Sequence, residues 1–163
     1  MVASLLQVTY PRIEIIVVDN ASPTDDPDVI TQQFPQVKLI KSRKNLGFAG
    51  GNNLGIAQAS GEYLLFLNND TEVDAGFIEP LVRAFQQNSV AGIVSPKIIY
   101  YGTDKVIQYA GSQGINSWTG RSITIGNLEQ DHGQYNSSQP TQLADGAAMM
   151  VPRKVVETVG LMP

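Results

Sequence analysis

The 163-residue sequence contains no cysteine and a single histidine, His132. Without thiols there is neither a disulfide framework nor a thiolate zinc site, and one imidazole cannot build a histidine cluster. A metal ion bound here must therefore be held by oxygen. Charge is also scarce: 11 Lys+Arg against 15 Asp+Glu leave a formal −4, with no basic cluster. A sequence-independent grip on nucleic acid needs several phosphate-neutralising cations on one face, so that class of partner is set aside. No apolar run approaches the roughly 18 residues that span a bilayer. The start Met1-Val2-Ala3-Ser4 lacks the basic residues and apolar stretch of a signal peptide. The expectation is a soluble, intracellular chain, in which the N-x-S/T matches at Asn20, Asn69 and Asn136 are chance. What is abundant is apolar residues, at 42%, which with the low charge gives a folded core of one ordinary domain rather than disorder.

Along the chain, β-rich runs alternate with stretches of helical spacing. Residues 13–18 (IEIIVV) form a β-branched run closed by Asp19-Asn20-Ala21-Ser22-Pro23, and they read as a strand buried on both faces. A short helix is expected over 28–34, a strand over 37–40, and a helix over 49–59 entered through Gly50-Gly51-Asn52-Asn53 with Gly61 as its C-cap. Residues 63–67 (YLLFL) read as the next strand, 77–87 as a helix with Phe77, Ile78, Leu81, Val82 and Phe85 on one side, and 91–94 as a further strand. This alternation is the signature of βαβ units, and so of an α/β fold with a mostly parallel, Rossmann-like sheet and helices on both faces. From Lys97 the pattern loosens into short β-like pieces, 106–109 and 122–125, and the polar stretch 127–142 reads as a long surface loop. Residues 155–160 look like a last helix ending at a glycine cap.

In open α/β sheets, ligands sit just beyond the carboxyl ends of the strands. Two acids fall at such places: Asp19 directly follows the run 13–18, and Asp70 lies three residues past Leu67. One carboxylate could accept hydrogen bonds from a ribose or base, and the other could hold a divalent ion on phosphates. The competing reading is that each is a turn or N-cap residue. Between them lies Arg43-Lys44-Asn45-Leu46-Gly47-Phe48-Ala49-Gly50-Gly51-Asn52-Asn53, which combines cations, glycines and a helix start as a pyrophosphate requires. It matches neither a Walker A loop nor G-x-G-x-x-G. His132 reads as a solvated loop residue, and Trp118 as a packing anchor more readily than a sugar-stacking platform.

The runs IEIIVVDNAS, NLGFAGGNNLGI, GEYLLFLNNDTEV and LADGAAMMVPRKVVETVGLMP, in this order, resemble the family 2 nucleotide-sugar glycosyltransferases of GT-A fold, especially rhamnosyltransferase-like members, from about Leu5 to Pro163. The resemblance implies one GT-A domain over 1–163, with a donor half over about 1–96 and an acceptor half over about 97–163. It implies inverting transfer from a dTDP- or UDP-linked sugar to a saccharide or lipid-linked acceptor, in bacterial cell-surface polysaccharide synthesis. Asp19, Asn20, Asn45, Gly50, Gly51, Asn52 and Asn68 would line the nucleotide pocket, the glycines as a turn. Asn68-Asn69-Asp70 would replace the family's D-x-D element, with Asp70 on Mg2+ or Mn2+. Asn68, an amide, stands where the simplest pattern has an acid, which weakens metal affinity in the absence of the diphosphate. Asp145 and Gly146 fall at the acceptor-side loop.

By the same resemblance the chain is a fragment. It lacks a first strand and a C-terminal acidic motif that carries the general base beyond Pro163, so the isolated fragment would be inactive and holds no catalytic residue. Loss of the first strand would expose a sheet edge and favour a homodimer. The whole protein would work in the cytoplasm at the inner face of the plasma membrane, with peripheral membrane association. A non-catalytic nucleotide-sugar binding module and a nucleotidyltransferase of similar architecture are the alternatives.

Overall fold

The computed structural model describes residues 1–24 and 26–163. They form two compact units, each assembled from two separate stretches of chain: residues 10–64 with 152–163, and residues 1–9 with 65–151.

In the unit of residues 10–64 and 152–163, strand β1 (Ile16–Asp19) pairs in parallel with β2 (Lys38–Lys41), Ile16 opposite Lys38 and Asp19 opposite Lys41. The β-branched run favours an extended chain, yet the ladder begins only at Ile16. All four β1 residues are half-buried and Ile13 is exposed, so the strand is not buried on both faces as its composition suggests. Helix α2 (Asp28–Gln33) joins the two strands. Helix α3 (Gly47–Gln58) follows β2, and a Cβ at Gly55 would sit 3.5 Å from Val18 Cγ2, so helix and strand approach closely. The helix ends at Ala59 rather than Gly61. Glu14 fixes that exit: its Oε1 accepts the Ser60 N–H, the Ser60 hydroxyl at 2.9 Å and the Gly61 N–H at 2.9 Å. Those donors, the Ser60 N–H first, hold the Glu14 carboxyl below its ordinary pKa. Helix α5 (Arg153–Val159) is tied to the same turn, since Arg153 Nε donates to the Gly61 carbonyl at 2.7 Å.

The unit of residues 1–9 and 65–151 holds most of the core. Helix α1 (Val2–Leu5) contributes Leu5, and α4 (Ile78–Gln87) buries Ile78, Leu81, Val82 and Phe85. That spacing of three, one and three residues is one apolar stripe of a helix, as the sequence indicates. Phe66 of β3 (Tyr63–Leu67), Ile107, Tyr109, Ala148 and Met150 complete it, with Ile107 fully enclosed. Strand β3 pairs with β8 (Ala148–Pro152). Strand β4 (Ile98–Ile99) is antiparallel to β5 (Ile107–Tyr109), and β6 (Ser112–Ile115) is antiparallel to β7 (Ser122–Thr124).

The α/β class therefore stands and the sheet is partly as expected: β1–β2 is parallel, whereas β4–β5 and β6–β7, in the looser stretch after Lys97, are antiparallel. Short connections explain the difference, because antiparallel neighbours need only a hairpin whereas parallel ones need a crossover. The expected strand over 91–94 reduces to one antiparallel bridge, Val94 to Met150. Residues 127–142 carry no helix or extended ladder, but they are fastened. Leu128 N–H donates to the Ile107 carbonyl and Ile107 N–H to the Glu129 carbonyl, both at 2.8 Å, and Lys97 Nζ reaches Asp131 at 2.6 Å and Asn136 at 2.8 Å.

Candidate active site

Of the residues expected to line the nucleotide pocket, all but Asn68 lie about the carboxyl end of β1 and the start of α3, where a strand must turn into a loop and its last side chains are released from the ladder. Asp19 closes β1, and its Oδ1 accepts the Ser22 N–H at 3.0 Å. The Ser22 hydroxyl and N–H, helped by Lys41, hold the Asp19 carboxyl below its ordinary pKa, so it is an anion at neutral pH. Ala21, between them, sits at φ 63° in the left-handed region, a conformation unfavourable for a residue with a Cβ and characteristic of strained functional turns.

Asn20 points its amide at the start of α3. Its Oδ1 accepts the Leu46 N–H at 2.9 Å, and its Nδ2 donates to the Gly47 carbonyl at 3.0 Å and to Asn45 Oδ1 at 3.1 Å. Asn45 Oδ1 also accepts the Gly47 N–H at 2.8 Å. Gly47 adopts φ 69°, which a glycine reaches without the Cβ penalty, and the helix starts there. Gly50, Gly51 and Asn52 consequently lie inside α3 and not in a turn, because the Asn20–Asn45 network starts the helix two residues before Ala49. Gly51 is buried against Asn20; a Cβ there would come to 3.3 Å of Nδ2 and 3.5 Å of Cγ. A Cβ at Gly50 would lie 2.6 Å from Leu46 Cβ. Asn52 Nδ2 donates to the Phe48 carbonyl at 2.9 Å within the helix.

The remaining candidates lie in the other unit, at the carboxyl end of β3. Asn68 opens a turn in which its carbonyl accepts the Thr71 N–H at 3.3 Å and hydroxyl at 2.7 Å. Its own N–H donates to the Ala147 carbonyl at 3.0 Å. Asp145 Oδ1 accepts the Ala147 N–H at 2.8 Å, and Gly146 is exposed. Tertiary structure thus joins Asn68 to the loop of Asp145 and Gly146, which lie far apart in sequence. Asp70 is exposed, and neither its carboxylate nor the Asn68 amide has a partner among the described residues.

No three acidic or imidazole side chains converge among the described residues; Asp70 offers a free carboxylate, and Asn68, two residues earlier, an amide oxygen. That set suits Mg2+ or a similar hard ion, which binds through one or two carboxylates and takes its other oxygens from phosphate and water.

Residues 1–160 match the family described as Glycosyl transferase family 2. The chain belongs to that family. Among curated relatives, an uncharacterized glycosyltransferase of Nostoc, alr2836, is 36% identical over 68% of this chain and 35% of its own length. The O-antigen biosynthesis protein RfbC of Myxococcus xanthus is 30% identical over 98% of this chain and 13% of its own. The chain therefore spans about a third or less of these relatives. Among solved structures it is similar to a mannosyltransferase of Pyrobaculum calidifontis in complex with GDP-Man and Mn2+, with a TM-score of 0.66 at 16% identity over 99% of this chain and 42% of that one. It is also similar to GalNAc-T7 with UDP, GalNAc and Mn2+, with a TM-score of 0.70 at 18% identity over 98% of this chain and 33% of that one. These likenesses show the GT-A fold.

Sequence reasoning did not single out Ser22, which charges Asp19, or Thr71, which closes the Asn68 turn. Both stand three residues after the group they serve, the spacing of an Asx or β-turn, so a search for such turns after each strand would have found them. Of the residues read as bland, His132 is exposed, and the neighbouring Asp131 is committed to Lys97, which with the Gly133 N–H lowers its pKa. Trp118 is not a packing anchor: it is 95% exposed.

Proposed function

We propose that this chain is the donor-binding part of a glycosyltransferase that moves a sugar, with inversion, from a nucleoside-diphosphate sugar to a saccharide or lipid-linked acceptor in bacterial cell-surface polysaccharide synthesis. In this reading 1–163 act as one GT-A domain whose first 96 residues or so serve the donor. Asp19 is the anion that accepts hydrogen bonds from the nucleoside, and Asn20 and Asn45 fix the start of α3 so that Gly50, Gly51 and Asn52 border the nucleotide. Asn68 borders the nucleotide, Asp70 would hold Mg2+ or Mn2+ at the diphosphate, and Asp145 and Gly146 meet the acceptor. When bound, such an ion neutralises charge on the departing nucleoside diphosphate. Asp70, an unpartnered carboxylate at a strand end, would keep that ion in place, while the Asn68 turn, anchored to Ala147, orients donor against acceptor loop. The whole protein would act in the cytoplasm, at the inner face of the plasma membrane; no helix among the described residues is long and apolar enough to cross a membrane.

The observation that carries this reading is the free Asp70 carboxylate on a turn at the end of β3 in a family 2 chain. Calorimetric titration of UDP, dTDP and GDP, with and without Mn2+, tests it. The expected result is Mn2+-dependent binding of one diphosphate, lost in Asp70→Ala. Binding of none by folded protein, or equal binding by Asp70→Ala, refutes it.

A further inference from the structure

The β6–β7 hairpin is built inside out. Its two strands turn Ser112, Gly114 and Thr124 toward the protein, with Ser112 and Gly114 buried, while Ile115 and Ile123 are 60% and 63% exposed. A hairpin lying on a core ordinarily does the reverse, and a one-residue slip would exchange the two faces. The register is held against that slip. Thr141 Oγ1 accepts the Ser112 N–H at 2.9 Å, Ile125 N–H donates to the Gly111 carbonyl at 2.8 Å, and Gly114, at φ 92°, lies where a Cβ would run into the Gln142 side chain.

The tip is equally fixed: Asn116 Oδ1 accepts the Trp118 N–H at 2.9 Å and the Thr119 N–H at 3.1 Å, and the Asn116 carbonyl accepts the Gly120 N–H at 2.8 Å. This ordered frame presents Trp118 to solvent at 95% exposure, beside exposed Arg121. Charge separates this surface from the rest of the chain. In a protein of net −4, the hairpin itself, residues 112–124, holds Arg121 and not one Asp or Glu.

We propose that this hairpin face is a membrane-contact surface that lays Trp118, Ile115 and Ile123 into the headgroup boundary of an anionic phospholipid layer, with Arg121 at the lipid phosphates. Indole prefers that boundary because one edge is apolar and the other donates a hydrogen bond. Aliphatic side chains gain by leaving water there, and a cation is drawn to anionic headgroups that would repel the acidic remainder of the protein. Exposed Gln113, Ser117, Thr119 and Ser122 could also serve a sugar, but the exposed isoleucines on the same hairpin favour the lipid boundary over a sugar platform. The inference refines where the proposed glycosyltransferase acts, and its test needs neither donor nor turnover.

Trp118 is the one tryptophan of the chain, so its fluorescence reports the hairpin tip alone. Vesicles of phosphatidylcholine with about a third phosphatidylglycerol are added to the protein, with pure phosphatidylcholine vesicles as the comparison. The expected result is a blue shift on the anionic vesicles and quenching by lipids brominated high in the acyl chain. Ile115→Ser combined with Ile123→Ser should weaken vesicle affinity roughly tenfold or more, and Arg121→Gln roughly fivefold, both at unchanged melting temperature since these side chains are exposed. Unmoved emission, or affinity untouched by the isoleucine pair, overturns the proposal. So does a shift that follows protein concentration without lipid, which marks a second copy, or one produced by soluble oligosaccharide but not by vesicles.

Discussion

Replacement of Asn20 isolates the contact on which the start of α3 depends. Asn20→Ala removes three hydrogen bonds: from the Leu46 N–H, to the Gly47 carbonyl and to Asn45 Oδ1. Each contributes about 0.5–1.5 kcal/mol net, and partial solvent access favours the lower half, so the loss is about 1.5–3 kcal/mol. For a chain of this size that lowers the melting temperature by roughly 3–12 °C. Asn20→Asp is nearly isosteric and separates packing from hydrogen bonding. It still accepts the Leu46 N–H, but it sets a second anionic oxygen against two acceptors. Its defect should therefore shrink as pH falls and the introduced carboxyl protonates, becoming a donor again. Asn45→Ala breaks part of the same network, so the double variant with Asn20→Ala should lose less than the sum of the singles. Melting by circular dichroism, with calorimetry of the preferred nucleoside diphosphate alongside, gives both readouts, and the affinity should fall with the melting temperature. If both Asn20 variants melt within about 1 °C of the parent, or the two alanine substitutions are additive, the network does not hold the helix start and the reasoning from hydrogen-bond energies fails.

Two glycines of α3 should respond oppositely. Gly55→Ala meets Val18 at ordinary van der Waals distance and should stabilise by about 0.5–1 kcal/mol by favouring the helix. Gly51→Ala crowds the Asn20 amide and should weaken nucleotide binding, a difference read by melting and calorimetry on the two variants. Glu14, Asp19, Glu79 and Asp131 all have pKa values lowered in the fold, by the Ser60 N–H, Ser22, the Thr9 hydroxyl and Lys97 respectively. A depressed carboxylate stabilises above its unfolded pKa, and that contribution disappears as pH falls through the folded value. The melting temperature should therefore be flat near neutrality and decline from roughly pH 4 downward, with a shallower decline in Glu14→Gln. An unchanged acid limb in that variant would show that the Ser60 and Gly61 contacts do not store this energy.

The local pattern made some elements plain. Residues 63–67 became β3 with the boundaries expected, and the spacing of Ile78, Leu81, Val82 and Phe85 became the buried stripe of α4. Both follow from periodicity, which acts within one element and needs no partner. Asp19 at a strand end was legible for the same reason, and so was the family, whose motifs are contiguous in sequence. Register and pairing were not. Val94 forms a bridge rather than a strand because Met150, far along the chain, meets it once, and Gly50 to Asn52 became helical because Asn20, 26 residues before Leu46, supplied the acceptor that lets the helix begin early. The sequence by itself determined which segments could extend or coil, where carboxylates would follow strands, and which family the chain belongs to. Tertiary structure alone decided that Asn68 is tied to the Asp145 loop, and that the β6–β7 hairpin turns its isoleucines and Trp118 outward. Long-range hydrogen bonds select among registers that local propensity leaves equal in energy.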